Sequence, residues 1–195
     1  MRNGPRDRLI EGAIALVREQ GVQGAGLAAL LARTNTSRNS LYQHFPGGKS
    51  ELVQAATSVG GQRVSAHIDR VVSTGEPADW AVALVGWGRW LLSSGDFGAG
   101  CPVAGAALAQ SEPGVQAAAA AAFEDWSTRL AAALEGAGLT AARARSLAGF
   151  LVSTVEGAIL VARAAKSARP LDEAEENLLL LLAAEQRHAT QQPPA

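Results

Sequence analysis

The chain has 195 residues, of which 48% are hydrophobic and 18% charged, and its formal net charge is −1. This composition excludes a disordered chain, and the length suffices for one substantial core or for a small domain joined to a larger one. The single cysteine, Cys101, excludes an internal disulfide and a cysteine-rich zinc site, and three scattered histidines form no recognisable ligand pair. We therefore expect neither a metal nor a cofactor. No apolar run has the length of a signal peptide or of a membrane span, so we expect a cytoplasmic protein that meets no membrane.

The charges are unevenly distributed along the chain. Residues 1–50 contain seven basic and three acidic residues, a formal charge of +4, which leaves −5 for the remainder. Such asymmetry predicts an N-terminal region that meets phosphates and a larger region that does not.

Residues 1–50 contain three predicted helices. Apolar residues recur at helical spacing from Asp7 to Gln20, where Gly21 ends the pattern, and again from Leu27 to Arg33. The segment 34–36, Thr-Asn-Thr, follows as a turn, because asparagine tolerates a left-handed conformation. Ser37 is a natural N-cap for a seven-residue helix over 38–44. These features predict a helix-turn-helix.

The second helix of this motif buries Leu41 and Phe45, which are four residues apart, and so turns its polar side chains outward. Arginine, asparagine, glutamine and serine donate to base edges in the major groove, whereas residues at the rim reach phosphates. The predicted base contacts are Arg38, Asn39, Ser40 and Gln43. The predicted phosphate contacts are Ser37, Tyr42, His44 and Lys49. The alternative is an ordinary polar surface helix.

The stretch PGGKS at positions 46–50 superficially resembles a phosphate-binding loop. Position 43 is glutamine where that motif needs glycine, and the stretch follows a helix where the motif needs a strand. We therefore interpret it as the end of one helix and the start of the next, over 50–72. Gly60 and Gly61 in that helix indicate either a flexible point or close helix packing.

The rest of the chain is a series of apolar helices. Trp80, Leu84, Trp87 and Leu91 follow helical spacing over 78–92, a glycine-rich connector covers 93–103, and a short helix ends near Gln110. An alanine-rich helix follows Pro113, another helix follows Thr140, and the last follows Pro170. Aromatic clusters of this kind are either core or the wall of an apolar cavity.

Two sets of residues in this part of the chain are assigned to binding. The predicted lining of an apolar cavity comprises Trp80, Leu84, Trp87, Trp90, Phe97, Cys101, Phe123, Trp126, Phe150 and Thr154. The last helix has leucine on every side over 178–182, so a second copy of the chain is expected to cover part of it in a four-helix interface. The predicted dimer interface comprises Leu151, Val155, Ile159, Leu178, Leu179 and Leu182. Glu156 lies inside an apolar stretch, where it is a candidate for a ligand or interface contact, although a surface-facing glutamate is the default interpretation.

The motif SRNSLYQHFPGGKSEL at 37–52 resembles the DNA-binding part of the TetR family of transcriptional regulators. The segments GCPVAGAALAQSEP and STVEGAILVARAAKSARPL are similar to the C-terminal domain of its LmrA/YxaF-like subgroup. The resemblance implies an all-α fold of about nine helices, the base and phosphate contacts named above, and an apolar effector pocket. We expect a DNA-binding domain over 1–50, an effector-binding and dimerisation domain over 51–189, and a disordered tail over 190–195, which is polar and proline-rich. Asn35 departs from the family, which usually has glycine there.

The predicted function is a homodimeric repressor that binds a palindromic double-stranded DNA operator and is released by a small apolar or aromatic effector. An enzyme is not expected, because no converging acid, base or nucleophile is indicated. A helical protein that only sequesters a small molecule would account for the aromatic residues but not for the donor-rich helix.

Overall fold

The computed structural model describes the backbone of residues 4–191 and the side chains of residues 4–187. That part of the chain forms nine helices and no strand, which confirms the predicted all-α class. In order they are α1 (Pro5–Gly24), α2 (Leu27–Thr34), α3 (Arg38–His44), α4 (Gly48–Val72), α5 (Pro77–Ser93), α6 (Pro102–Ala107), α7 (Pro113–Gly136), α8 (Ala141–Ala165) and α9 (Arg169–Gln191). The helix α9 continues past position 190, where a disordered tail was predicted, and residues 192–195 lie outside the described part.

Local sequence signals set most of the helix boundaries. Proline stands in the first turn of α1, α5 and α6, where a missing amide hydrogen costs nothing. Thr140 caps α8 by accepting a hydrogen bond from the Arg143 amide, and Glu76 and Asp79 form a reciprocal capping box at α5. The helix α8 ends at Lys166, which adopts the left-handed conformation.

The helices pack as two compact units. The N-terminal unit comprises residues 1–63 and 99–123, and the C-terminal unit comprises residues 64–98 and 124–195, so that α4 and α7 contribute to both. This division differs from the predicted boundary at position 50. The difference arises because later segments pack on α1: the Gly100 amide donates to the Arg18 carbonyl at 2.9 Å, and Arg63 pairs with Glu11.

Close helix contacts define the core of the N-terminal unit. A Cβ added to Gly12 of α1 would lie 2.2 Å from the Thr34 Cγ2 atom at the end of α2, and one added to Gly61 of α4 would lie 2.8 Å from the Ala122 Cβ atom of α7. Both glycines are therefore needed for close approach. Of the two interpretations of the Gly60-Gly61 pair, the structure supports close packing.

The core of the C-terminal unit is built by α5, α8 and α9. Gly88 of α5 lies against Ile159 of α8, and Arg89 reaches Asp172 and Glu175 of α9 at 2.8 and 2.6 Å. The helix α8 has the length and hydropathy of a membrane span, the one such helix among residues 4–191, but a core helix has the same properties. Its Leu147 and Leu151 are 1% and 3% exposed within the unit.

The burial pattern corrects the predicted dimer interface. Five of its six residues are buried inside a single chain and offer no surface to a second copy, namely Leu151, Val155, Ile159, Leu178 and Leu182, whereas Leu179 is half-buried. Helical spacing identified the apolar stripe correctly but not the element that covers it. The large apolar side chains of α8 and α9 that remain exposed are Phe150, Leu160, Val161 and Leu180.

Candidate nucleic-acid interface and ligand cavity

The turn between α2 and α3 is held by the threonines on either side of Asn35. The Thr34 hydroxyl donates to the Leu30 carbonyl at 2.8 Å and lies 2.6 Å from the Thr36 hydroxyl. Asn35 has φ 48° and ψ 48°, the left-handed conformation predicted from its residue type. Asparagine therefore supports the sharp reversal here without the glycine that is usual in the family.

The helix α3 is fixed at both ends. The Ser37 hydroxyl accepts a hydrogen bond from the Ser40 amide at 3.1 Å, which confirms the predicted N-cap. Leu41 is fully buried and Phe45 is 1% exposed, and the Arg6 guanidinium lies 5.5 Å from the centre of the Phe45 ring. A seven-residue helix is too short to be stable alone, so its orientation depends on these two buried side chains.

The outer face of α3 carries the predicted base-contacting side chains. Arg38, Asn39 and Gln43 are exposed, and Ser40 is half-buried beside the cap. These four residues lie within six consecutive positions of one short helix, and all can donate hydrogen bonds to base edges. The described structure thus leaves the three long polar side chains open to a partner.

The residues predicted to reach phosphates differ in their surroundings. Tyr42 is 46% exposed and His44 is half-buried. Lys49 is half-buried: its ammonium donates to the Val22 carbonyl at 2.9 Å and lies 3.7 Å from the Glu112 carboxylate. Those contacts hold α4 to the end of α1, and the phosphate contact of Lys49 stays a prediction.

An ion pair ties α2 to α1 on the same unit. Arg33 donates to both carboxylate oxygens of Glu19, at 2.6 and 2.8 Å. The hydrogen bonds from Arg33 hold the pKa of Glu19 below its usual value. Both side chains are more than a third exposed, so the ion pair adds little to the free energy of unfolding. Its main effect is to orient α2 relative to α1.

The C-terminal unit contains an apolar cavity. Its volume is about 30 Å³, and its lining is formed by α4, α5, α7 and α8. The lining residues are Val64, Ile68, Leu84, Trp87, Trp126, Leu130, Leu151, Val152, Val155 and Glu156. This volume is about that of one water molecule in the liquid. A ligand larger than one water molecule would therefore require the walls of the cavity to move.

Three residues of the predicted effector pocket line this cavity: Leu84, Trp87 and Trp126. Five others belong to the same unit but lie off the lining, because their side chains are in the core, on the surface or in a loop: Trp80, Trp90, Phe97, Phe150 and Thr154. Trp80 donates from its ring nitrogen to the Thr74 carbonyl at 2.9 Å, and Trp90 and Phe150 are 61% and 51% exposed. Cys101 and Phe123 belong to the N-terminal unit.

The predicted pocket did not include seven of the lining residues, and for five of them the reason can be identified. Val64 and Ile68 are four apart on α4, a helix from which no residue was included in the predicted pocket. Leu151 and Val155 were assigned to the dimer interface. Glu156 was singled out as a possible ligand contact, and it does contribute the one charged side chain on the lining, with its Oε2 atom buried.

His67 of α4 directly precedes Ile68, which is a residue of this lining. The centre of its ring is 6.3 Å from that of Trp87, and its Nε2 atom is buried without a hydrogen-bond partner. Burial lowers the pKa of His67, the positive charge of Arg70 lowers it further, and a hydrogen bond with the Ala83 backbone acts in the opposite direction. The imidazole is therefore neutral near pH 7.

Comparison with known sequences identifies both parts of the chain. A family profile described as bacterial regulatory proteins of the tetR family matches residues 9–56, which include α2 and α3. A second profile, described as the C-terminal domain of LmrA/YxaF-like transcriptional regulators, matches residues 77–177.

Relatives and solved structures agree with these profiles. An uncharacterised HTH-type transcriptional regulator of Mycobacterium tuberculosis is 36% identical over 93% of this chain and 96% of its own length. The HTH-type transcriptional regulator LmrA of Bacillus subtilis is 28% identical over 85% of this chain and 90% of its own length. The crystal structure of a TetR transcriptional regulator from Legionella pneumophila shares the fold, with a TM-score of 0.83 at 21% identity over 93% of this chain and all of that one. The chain belongs to the TetR family of transcriptional regulators, with a C-terminal domain of the LmrA/YxaF-like type.

Proposed function

We propose that this protein is a homodimeric repressor that binds a palindromic operator through α3 and leaves it when a small, mainly apolar effector enters the cavity of the C-terminal unit. The observation that carries the proposal is the exposure of Arg38, Asn39 and Gln43 on a helix whose opposite side is fully buried. An ordinary surface helix has no need for such a concentration of long donor side chains. We place this activity in the cytoplasm, where operator DNA is accessible.

Recognition of the operator would combine contacts to bases with contacts to phosphates. Arg38, Asn39, Ser40 and Gln43 would contact base edges, while Ser37, Tyr42 and His44 at the rim would contact phosphates and fix the register. Two copies of α3, related by a two-fold axis, would then occupy major grooves about one helical turn apart.

Release by an effector follows from differential affinity. The cavity has a volume of only about 30 Å³ in the present state, so a ligand of ten or more heavy atoms binds only to a state with an expanded cavity. If that state binds operator more weakly, ligand and DNA oppose each other by the same coupling free energy, typically about 1–3 kcal/mol.

The decisive experiment is selection of bound duplexes from a random pool. We expect an enriched palindrome, which would establish symmetry, sequence reading and half-site spacing together. Arg38→Ala should lower affinity for that palindrome by about 1–3 kcal/mol and relax the preference at one position of each half-site. Arg70→Ala removes an exposed arginine of the C-terminal unit and serves as the matched control. A pool that shows no enrichment would contradict the proposal.

The dimer would use the apolar side chains that remain exposed on α8 and α9, chiefly Phe150, Leu160 and Leu180. The wild-type protein should sediment at twice its chain mass of 20.0 kDa. Leu160→Asp should shift the protein towards monomer and weaken operator binding, because the two DNA-binding units are then no longer linked and each binds its half-site alone. Leu108→Asp alters a side chain that is 78% exposed in the N-terminal unit and should leave the mass unchanged. A Leu160→Asp protein that stays dimeric would exclude this interface.

A further inference from the structure

We propose that Glu112, the residue before α7, limits the affinity of this protein for DNA by competing with a DNA phosphate for the ammonium group of Lys49. In the free protein the carboxylate lies beside the ammonium, and in the complex a phosphate oxygen takes that place. The inference rests on the proposed function, because it requires DNA to meet the surface around α3. It goes beyond that function by naming a residue that sets DNA affinity without touching DNA.

Lys49 lies at the rim of the predicted DNA-binding surface. It is the second residue of α4, and a Cβ added to the preceding Gly48 would lie 3.1 Å from the ring of Tyr42, an exposed residue that is itself a predicted phosphate contact. The Lys49 side chain is only partly buried. The free amide groups at the start of a helix also favour an anion there. We therefore expect a backbone phosphate of bound DNA to come within reach of the Lys49 ammonium.

The contacts of Lys49 in the free protein leave its ammonium open to a stronger acceptor. The ammonium has three hydrogens, and it donates to the Val22 carbonyl at 2.9 Å. Its distance to the Glu112 Oε1 atom is 3.7 Å, which is beyond the range of a direct hydrogen bond. A phosphate oxygen can approach an ammonium to about 2.8 Å in a charge-assisted hydrogen bond. The phosphate should therefore displace the carboxylate as the partner of this ammonium.

The chain around Glu112 holds its carboxylate in position. The Glu112 amide donates to the Ala109 carbonyl at 2.9 Å, and the neighbouring Ser111 hydroxyl accepts a hydrogen bond from Gln23 of α1 at 2.7 Å. The Oε2 atom of Glu112 is buried without a hydrogen-bond partner among residues 4–187. A charge in such a setting is stabilised by a nearby charge of opposite sign. That stabilisation is lost when the Lys49 ammonium turns to a phosphate.

Two opposing terms then set the net contribution of Lys49 to DNA binding. The new hydrogen bond to phosphate favours the complex, and the loss of the partner of Glu112 favours the free protein. Only the second term depends on Glu112, so removal of its charge should strengthen DNA binding. Phosphate contacts contain no sequence information, so the gain should be the same on the operator and on a duplex of random sequence.

The test is a double-mutant cycle of Glu112→Gln and Lys49→Gln in the full-length protein. Affinity for a labelled duplex is measured by fluorescence anisotropy over a range of salt concentrations. Lys49→Gln should weaken binding and reduce the slope of log affinity against log salt by about 0.9, the value for one phosphate contact. Glu112→Gln should strengthen binding about three- to tenfold when Lys49 is present, with no change of slope. In the Lys49→Gln background it should change affinity by less than about twofold.

Two control variants accompany the cycle. Lys49→Arg keeps the positive charge and should keep the wild-type salt slope. Glu11→Gln removes the charge of another carboxylate in the same unit, one that pairs with Arg63. It should change affinity by the same factor in the presence and in the absence of Lys49. Thermal unfolding shows that each variant is folded.

Three outcomes would overturn the proposal. If Glu112→Gln strengthens binding equally in both backgrounds, the carboxylate acts by its charge alone and not through Lys49. If Glu112→Gln weakens binding, the ion pair positions the DNA-binding surface instead of competing with DNA. If Lys49→Gln leaves the salt slope unchanged, the ammonium does not meet a phosphate. If the expected effects appear but operator and random duplexes bind equally, the role of Glu112 stands while sequence-specific repression fails.

Discussion

The two units of this protein differ in their net charge and in the kind of binding surface that they provide. By sequence, the N-terminal unit contains eight basic and five acidic residues and the C-terminal unit nine and thirteen, so their formal charges are +3 and −4. The first presents polar side chains outward from a helix that is anchored by fully buried residues. The second encloses a small apolar cavity, and a single carboxylate, that of Glu156, is part of the cavity lining. This difference in charge favours the N-terminal unit for contact with DNA phosphates.

The two units also differ in how closely their helices pack. In the N-terminal unit, Gly12 allows α1 to contact the end of α2 so closely that no side-chain atom fits between them. In the C-terminal unit, side chains such as Leu130 and Trp87 surround a cavity of about 30 Å³ and so leave space between the helices. A surface that reads bases must be preorganised, whereas a site that transmits binding must have a second state available.

The largest expected effect is loss of the anchor of α3. Leu41→Ala should lower the free energy of unfolding by about 2–5 kcal/mol, because the residue is fully buried and the truncation leaves a cavity. Leu108→Ala truncates a leucine in the same unit that is 78% exposed, and should change stability by less than about 0.5 kcal/mol. Urea denaturation at one fixed protein concentration measures both. Equal effects would mean that α3 is not anchored as described.

The second prediction concerns glycines in helices of the two units. Gly12→Ala should destabilise the protein by about 1–3 kcal/mol and weaken operator binding, since its methyl group would meet the Thr34 side chain. Gly86→Ala places a methyl group in open space on α5 and should stabilise the protein by up to about 1 kcal/mol. Thermal unfolding distinguishes them by the sign of the change. A stabilised Gly12→Ala would refute the close contact of α1 with α2.

The third prediction tests whether the two tasks can be separated. Val152→Phe adds bulk on the wall of the cavity and should weaken effector binding about tenfold or more, which corresponds to about 1.4 kcal/mol. Affinity for the operator in the absence of effector should stay within about threefold of wild type, because no DNA-contacting residue is altered. Fluorescence titration and gel-shift assays measure the two quantities. If both change together, the cavity also determines the DNA-binding state without ligand.

The smallest expected effect is on pH dependence. Hydrogen bonds from Arg129 and then from Ser65 lower the pKa of Asp125 below its usual 3.8, so Asp125 binds a proton more readily in the unfolded chain. Its contribution is therefore present above about pH 4 and is lost as the pH falls through the lower folded-state pKa. Asp125→Asn should flatten the acid limb of stability against pH by at most about 1 kcal/mol, because solvent screens these exposed groups. Asp96→Asn serves as control, and an unchanged acid limb in Asp125→Asn would contradict the assignment.

Local sequence determined the helices, their caps and the DNA-binding motif. The extent of α3, the left-handed Asn35, the Ser37 cap and the burial of Leu41 and Phe45 all follow from neighbours within a few positions. Turn geometry, capping and helical periodicity act over that range, so a single sequence contains enough information to predict them.

Only the tertiary structure decided what each buried or charged side chain contacts. Periodicity placed Leu151, Val155 and Leu178 on apolar stripes, but the packing of α5, α8 and α9 covers those stripes inside one chain and leaves Leu160 and Leu180 outside. Lys49 pairs with Glu112, sixty-three positions further along the chain, a contact that the sequence did not indicate. Apolar burial has no preferred direction and long-range ion pairs leave no local signal, so the partners of these residues emerge only when the helices are assembled.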